Sequence, residues 1–193
     1  MSSDLRGIVL VLLAAGRSER FGVGKLGAML AGETVLARTM HQLAPLPFAA
    51  RIAVIAPGSA LLDSYTCLPL DPPDAPQSRS LALGVAAAQA TGARAAMIAL
   101  ADMPLVPTSH FAALASAFDG DRIASSHGDL RLPPAIFGSQ HFPALMALSG
   151  DRGAGALLHD APHFRLPPDA ELDIDTPGDL ARAEALLATT RIA

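Results

Sequence analysis

Apolar and polar stretches alternate along the chain in a way that predicts strands and helices in turn. Short continuous apolar runs are typical of strands buried on both faces, and they occur at residues 7–13, 51–56 and 95–100. Further extended segments are predicted at 65–70, 123–126 and 135–137, with loops at 14–27, 71–79 and 127–134. Apolar residues at helical spacing predict helices at 34–43, 80–91, 107–118, 139–148, 154–159 and from 176 onward.

Strands that alternate with helices predict the fold class. The pattern indicates a three-layer α/β domain with a largely parallel sheet, and residues 1–193 are expected to form one domain. Ser80 is predicted as the N-cap of the second helix. Thr176 is predicted as the N-cap of the last helix, because Pro177 and Asp179 follow at positions that favour them. Ligands of such sheets bind beyond the carboxyl ends of the strands, so the loops at those ends are where chemistry is expected.

Composition narrows the possible partners. Hydrophobic residues make up 51% of the 193 residues and charged residues 17%, which provides a core and argues against disorder. A net charge of -4, one Tyr and no Trp argue against nucleic acid and against a membrane surface. The apolar run at residues 7–15 is too short to span a bilayer, and a single cysteine, Cys67, fits a reducing compartment. We therefore expect a cytoplasmic protein.

The loop after the first strand carries small and basic residues that suit a phosphate-rich ligand. Residues 13–16 are Leu-Ala-Ala-Gly, which lets a ligand approach the backbone closely. Arg17, Arg20 and Lys25 place three cations within nine positions. Lys25 is the only lysine among the 14 basic residues, and its compact ammonium suits a reacting phosphate, whereas Arg20 suits the distal phosphates. The loop therefore favours a nucleoside triphosphate.

Two common phosphate-binding motifs fit this loop poorly. Gly22, Gly24 and Gly27 match G-x-G-x-x-G, but the first glycine lies nine positions beyond the end of the predicted strand instead of at the turn itself. A P-loop fails because Leu26 stands where Ser or Thr must reach magnesium. An NAD-dependent oxidoreductase built on these glycines is therefore disfavoured.

Two aspartates lie where a divalent cation could be bound. Asp102 lies just past the strand at 95–100, and Asp175 directly before the N-cap of the last helix. Each has a structural alternative, since Asp102 also suits a turn and Asp175 also suits the positive end of a helix dipole. Taken with a triphosphate loop, the two carboxylates predict a Mg²⁺ site for phosphoryl transfer.

Four motifs in this order resemble those of the MobA-like nucleotidyltransferases, and in particular their molybdenum cofactor cytidylyltransferase branch. They are the loop at 13–25, the Asp-Met-Pro at 102–104, the Gly-Asp-Arg-Gly at 150–153 and the Asp-Ile-Asp-Thr-Pro at 173–177. The resemblance implies a Rossmann-like nucleotidyltransferase fold and a Mg²⁺-bound nucleoside triphosphate. It further implies that the nucleoside monophosphate passes to a phosphorylated acceptor and that pyrophosphate is released.

The resemblance also implies roles for the matching residues. Lys25, Arg20 and Asp102 are expected to be catalytic, and Asp102 and Asp175 to hold Mg²⁺. Ala15 favours CTP, because Ala-Ala-Gly is typical of the cytidylyl branch and Ala-Gly-Gly of the guanylyl branch. The expected nucleotide contacts are Leu13, Ala14, Ala15, Gly16, Arg17, Lys25, Ser80 and Asp102. The expected acceptor contacts are Gly150, Asp151 and Arg152.

Departures from the family pattern cluster in the half of the chain where the acceptor is expected. The segment at 76–80 keeps only two serines of a segment that is often serine-rich. Residues 130–134 replace a common Gly-His-Pro, and Gly153-Ala154-Gly155 stands where Gly-Ala-Arg is usual. The motifs therefore support the nucleotide half of the site better than the acceptor half.

The expected function is transfer of CMP from CTP to the phosphate of molybdopterin, with no role for nucleic acid or membranes. The alternatives are a guanylyl- or other nucleotidyltransferase with a different phosphorylated acceptor, and a binding protein that carries nucleotide or molybdenum cofactor without turnover. The resemblance also allows a molybdoenzyme or its chaperone as a protein partner.

Overall fold

A seven-stranded sheet forms the centre of the computed structural model, which describes residues 5–16, 21 and 24–190. The sheet has the order β5-β4-β1-β6-β8-β7-β9, and a separate hairpin is formed by β2 and β3. Only β8 runs against its neighbours in the sheet, so the sheet is mostly parallel. The strands are β1 (Ile8–Ala14), β2 (Met29–Leu30), β3 (Glu33–Thr34), β4 (Ala50–Ile55), β5 (Thr66–Pro69), β6 (Ala95–Leu100), β7 (Arg122–His127), β8 (Leu130–Gly138) and β9 (His163–Arg165).

Helices cover both faces of this sheet. The α-helices are α1 (Val35–Leu43), α2 (Gln77–Ala90), α3 (Thr108–Ala117), α4 (Phe142–Met146) and α5 (Pro177–Thr190). Short 3-10 helices lie at Leu5–Gly7, Lys25–Gly27, Ser139–His141 and Ala154–Leu157. The predicted three-layer α/β architecture is therefore confirmed.

The apolar run of β1 is continuous because its two faces enter two different cores. Leu10 and Leu12 pack in a cluster with residues of α1 and α3, whereas Val9 and Val11 pack in a cluster with residues of α2 and α4. A β-carbon at Gly84 of α2 would lie 2.4 Å from Val11, so the glycine allows α2 to lie directly on β1. Close packing on both sides holds the carboxyl end of β1 in a fixed position.

The prediction that Ser80 caps the second helix is wrong. The helix α2 begins at Gln77 with Pro76 as its N-cap, and Ser80 lies buried in its first turns. Its start is stabilised from outside, since the Ser78 amide donates to the Gly150 carbonyl at 3.3 Å. A tertiary contact therefore extends the helix into a segment whose polar residues predicted a loop.

The prediction of a loop at 127–134 is also wrong, because β8 begins at Leu130. A two-residue turn precedes this strand, and Gly128 adopts a φ of 55° in it. The prolines 133 and 134 are tolerated in the strand because the pairing register with β7 shifts there, from Ala135 opposite Ala124 to Leu132 opposite Ser125. A missing N–H costs little at such an irregularity.

Three smaller differences concern short elements. The helix predicted at 139–148 is a 3-10 turn followed by the short α4, and the one predicted at 154–159 is a 3-10 helix that ends at Leu157. The strands β2, β3 and β9 were not predicted. Within the described ranges, no helix has the length and apolar character needed to cross a membrane.

Candidate active site

Two loops at the carboxyl ends of β1 and β6 meet at one edge of the sheet. The Ala101 amide donates to the Leu13 carbonyl at 3.0 Å, which continues the pairing of the two strands to the start of the second loop. The Ile174 amide donates to the Asp102 carbonyl at 3.0 Å, and this bond joins the segment before α5 to the same edge. Backbone pairing therefore brings the motif at 173–177 beside Asp102, although 70 residues separate them along the chain.

The start of α5 fixes the position of Asp175. The Asp179 carboxylate accepts hydrogen bonds from the amides of Asp175 and Thr176 at 3.2 and 2.8 Å, while the Asp179 amide donates to the Thr176 hydroxyl at 3.2 Å. This reciprocal arrangement is a capping box, and it supports the prediction of Thr176 as N-cap. The Thr176 hydroxyl also lies 2.8 Å from the Asp179 carboxylate, and this side-chain hydrogen bond, followed by those from the two amides, lowers the pKa of Asp179 because it favours the charged form.

Lys25 lies between the two aspartates that were singled out in the sequence. Its Nζ is 2.6 Å from Asp102 Oδ2 and 2.6 Å from Asp175 Oδ1. Lys25 is 5% exposed, which is rare for a lysine without a charged partner. Burial alone would lower the pKa of Lys25, but the charges and hydrogen bonds of Asp102 and Asp175 outweigh burial and raise it. The site therefore holds a charged ammonium.

A third carboxylate, Asp173, lies beside this group and was not assigned a role from the sequence. Partial burial of its carboxyl group, together with the negative charges of Asp102 and Asp175, raises the pKa of Asp173 to about 7. The signal for it was present, since alternate residues of an extended segment point the same way. Ile174 is buried between two accessible aspartates, as that alternation requires.

A cavity of about 320 Å³ opens over these side chains. Eight of the sequence-predicted site residues line it: Leu13, Ala15, Gly16, Lys25, Ser80, Asp102, Asp151 and Asp175. The Ser80 hydroxyl oxygen is buried and finds no hydrogen-bond partner among the described residues. An unsatisfied buried hydroxyl at the wall of a cavity is suited to a hydrogen bond with a ligand.

The other predicted site residues that the structure describes do not line this cavity. The Ala14 side chain packs into the core, because the extended chain turns it away from the cavity that Ala15 lines. Gly150 supports the start of α2 through its carbonyl, and Arg152 lines a neighbouring cavity. Arg17 and Arg20 lie outside the described residues.

The carboxylates of Asp102 and Asp175 are compatible with a divalent cation. Because both contact one ammonium nitrogen at 2.6 Å, their oxygens are separated by no more than twice that distance. Within the described part of the chain, no cluster of three or more His, Cys, Asp or Glu side chains forms a metal site by itself. Two carboxylates beside an open cavity suit Mg²⁺, which is usually held by one or two carboxylates together with substrate phosphates.

The fold and the site together define a class of protein, an α/β protein that presents a buried cation and acidic side chains to a ligand at the carboxyl edge of its sheet. A model of the MobA-like NTP transferase domain matches residues 10–166. The chain therefore belongs to the MobA-like NTP transferase family, which confirms the resemblance to that family found in the sequence. It is a nucleotidyltransferase of that family.

Three known proteins are similar to this chain in sequence or in fold. The purine catabolism protein PucB of Bacillus subtilis (strain 168) is 29% identical to this chain, and the match covers 90% of this chain and 89% of PucB. The manganese complex of Rv0371C from Mycobacterium tuberculosis H37Rv has a TM-score of 0.78 at 22% identity, covering 92% of this chain and 98% of that one. Molybdopterin-guanine dinucleotide biosynthesis protein A from Archaeoglobus fulgidus has a TM-score of 0.66 at 17% identity, covering 94% and 99%. The two structural likenesses show the shared fold, and one protein with this fold binds a divalent metal.

Proposed function

We propose that this protein transfers CMP from CTP to the phosphate of molybdopterin and releases pyrophosphate, with Mg²⁺ as the metal. The observation that supports this proposal most directly is the convergence of Lys25, Asp102 and Asp175 on one cavity. These three side chains come from three distant parts of the chain, and each was singled out for the same chemistry from the sequence.

In the proposed reaction, an oxygen of the acceptor phosphate attacks the α-phosphorus of CTP. A new P–O bond forms as the bond to the β-phosphate oxygen breaks, and pyrophosphate leaves with the electron pair of that bond. A phosphate monoester is already anionic at neutral pH, so no side chain has to act as a nucleophile or a general base. The protein's task is to position the two substrates and to offset their negative charge.

The residues of the site divide this task between them. Asp102 and Asp175 would hold Mg²⁺, which would offset the charge of the triphosphate when it is bound. Lys25 would stabilise the charge that develops on the transferring phosphoryl group, since a buried ammonium acts in a medium of low polarity. Arg20 is proposed for the distal phosphates.

Two contacts are proposed for the nucleoside. The Ser80 hydroxyl, which is unsatisfied, would donate a hydrogen bond through its O–H or accept one at its oxygen. Ala15 lines the cavity, and its methyl group leaves less room than a glycine would leave, which favours the smaller pyrimidine base of CTP. The preference for CTP over GTP rests on this residue and on the sequence pattern that surrounds it.

The experiment that tests this proposal is a pyrophosphate-release assay with purified protein, Mg²⁺, molybdopterin and either CTP or GTP. We expect release with CTP, and we expect Lys25→Ala and Asp102→Ala to lower the rate by about 10²–10³-fold. Asp169→Ala is the matched control, because Asp169 pairs with Arg182 and does not line the cavity. Release with GTP alone would shift the assignment to guanylyl transfer. Nucleotide binding without release would instead favour the carrier function.

A further inference from the structure

The buried face of α1 carries a polar residue in its middle. Val35, Thr39 and Leu43 are the buried residues of this helix, and their spacing of four places them on one face. Thr39 is 1% exposed, and valine has nearly the same shape, so the hydroxyl group is what distinguishes threonine at this position. A buried hydroxyl costs free energy unless it is hydrogen-bonded, so its partners indicate what it does.

The Thr39 hydroxyl joins α1 to the turn that follows β6. Its Oγ1 is 2.9 Å from the Ala101 carbonyl oxygen and 3.2 Å from the Val35 carbonyl oxygen. The contact with Val35 stays within the helix and is common for threonine. The contact with Ala101 is shorter and links residues that are 62 positions apart. Among the described residues, no other group donates to the Ala101 carbonyl, although Ala101 is 1% exposed.

This hydrogen bond acts on the peptide group that carries Asp102. The Ala101 carbonyl lies in one rigid plane with the Asp102 amide and Cα. On either side of that plane, the Ala101 amide donates to Leu13 and the Asp102 carbonyl accepts from Ile174. Thr39 supplies the hydrogen bond between these two. A rotation of the plane would change the direction in which the Asp102 side chain leaves the backbone.

The direction of the Asp102 side chain matters because its contacts are short. Asp102 Oδ2 lies 2.6 Å from Lys25 Nζ, and hydrogen bonds weaken steeply when their geometry is lost. The same carboxylate is a proposed ligand of a divalent cation, and groups that orient a metal ligand typically change metal affinity or activity by about 10–100-fold. Thr39 does not line the cavity, so it reaches the site only through Asp102.

We infer that Thr39 is a positioning residue for Asp102. Its hydroxyl holds the peptide group before Asp102, and this fixes the carboxylate where it meets Lys25 and where a divalent cation would be held. The part of the inference that concerns the cation rests on the proposed function. The part that concerns Lys25 rests on the contacts alone.

Lys25 gives a direct readout of this position, because it is the only lysine of the chain. Protein grown with nitrogen-15-labelled lysine therefore gives a single lysine ammonium resonance in NMR. Without metal, Thr39→Val is expected to move this resonance toward its position in Asp102→Asn, in which the charged contact is lost. Thr39→Ser keeps the hydroxyl and is expected to keep the resonance near that of the wild type.

Ser125→Ala is the matched control for the loss of a buried hydrogen bond. Ser125 is buried on β7, its hydroxyl donates to the Pro134 carbonyl at 2.6 Å, and it does not line the cavity. Its removal is expected to leave the Lys25 resonance unchanged. Thr39→Ala serves as a second variant if Thr39→Val does not fold.

The cation is tested by the Mg²⁺ requirement of pyrophosphate release from CTP with molybdopterin. We expect the Mg²⁺ concentration for the half-maximal rate to rise by about tenfold or more in Thr39→Val. It should stay within about twofold of the wild type in Thr39→Ser and in Ser125→Ala.

An unchanged Lys25 resonance in the folded Thr39→Val or Thr39→Ala variant would overturn the inference, and so would an equal change in Ser125→Ala. A changed resonance with an unchanged Mg²⁺ requirement would overturn the part that concerns the cation. Absence of pyrophosphate release by the wild type would instead refute the proposed function, while the resonance still decides whether Thr39 positions Asp102.

Discussion

Replacement of Lys25 by methionine removes the only cation that the structure places between Asp102 and Asp175 within the described residues. Methionine keeps most of the apolar stem of the lysine, so the change acts mainly on charge. In the variant, the negative charges of Asp102 and Asp175 face each other without an ammonium between them. We therefore expect a lower free energy of unfolding at neutral pH.

The size of this loss follows from how exposed each partner is. The side chains of Lys25 and Asp102 are 6% and 19% exposed, and that of Asp175 is 50% exposed. Removing one partner of a buried ion pair costs about 3–5 kcal/mol, because the other charge stays buried. An exposed pair is worth about 0.2–1 kcal/mol. Asp102 is close to the buried case and Asp175 to the exposed one, so a loss of about 3 kcal/mol is expected.

The assay is urea unfolding of the wild type and of Lys25→Met, each without a divalent cation and with added Mg²⁺. Without Mg²⁺ the variant should unfold at a lower urea concentration and with an unchanged m-value. Added Mg²⁺ should stabilise the variant more than the wild type, because no ammonium competes for the carboxylate oxygens. Any cation that binds only the native state raises stability in proportion to the logarithm of its concentration over Kd.

Arg182→Met provides the control, since Arg182 pairs with Asp169 in an exposed ion pair. Its free energy of unfolding should fall by less than about 1 kcal/mol, and Mg²⁺ should not affect it differently from the wild type. The reasoning is refuted if Lys25→Met matches Arg182→Met in stability and gains nothing more from Mg²⁺ than the wild type does.

Two further predictions concern buried polar groups. Ser80→Ala should leave the free energy of unfolding unchanged or slightly higher, because it removes an unsatisfied hydroxyl. The same variant should bind CTP about tenfold more weakly in calorimetry. An unchanged affinity would show that Ser80 does not contact the nucleotide. Burial lowers the pKa of His110 to about 4, so unfolded chains take up its proton near pH 6.5 while folded ones do not. The free energy of unfolding therefore keeps its full value above about pH 6.5, where His110 is neutral in both states. It falls by at most about 3 kcal/mol as the pH is lowered toward 4, because only the unfolded chain binds the proton. Urea unfolding should show a shallower decline with pH in His110→Gln, and parallel curves would contradict this.

The sequence predicts the central strands of this fold because residue after residue in each buried strand is apolar. In β1 every residue has to be apolar, since both faces are covered by helices. The edge strand β9 gives no such signal, because all three of its residues are exposed and it exists through pairing with β7. The start of α2 depends likewise on the segment around Gly150, and a contact over such a separation in the chain has no local pattern.

The sequence predicts a site residue where its type suits a ligand and its position is at the end of a strand or the start of a helix. Asp102 follows a buried strand, Asp175 precedes a capped helix, and Lys25 is the only lysine in the chain. The sequence could not predict that Lys25 forms an ion pair with both aspartates, because that contact depends on the bond between Ile174 and Asp102.

The ion pair of Lys25 with Asp102 and Asp175 determines how charge is balanced when a metal and a nucleotide bind. The carboxylate oxygens that contact Lys25 are those that would hold the metal, so an ammonium and a divalent cation compete for the same positions. Lys25 lines the same cavity, so a triphosphate bound there would offer negative charge to an ammonium displaced from Asp102 and Asp175. Metal and nucleotide are therefore expected to bind this site together, because each supplies the charge that the other leaves unbalanced.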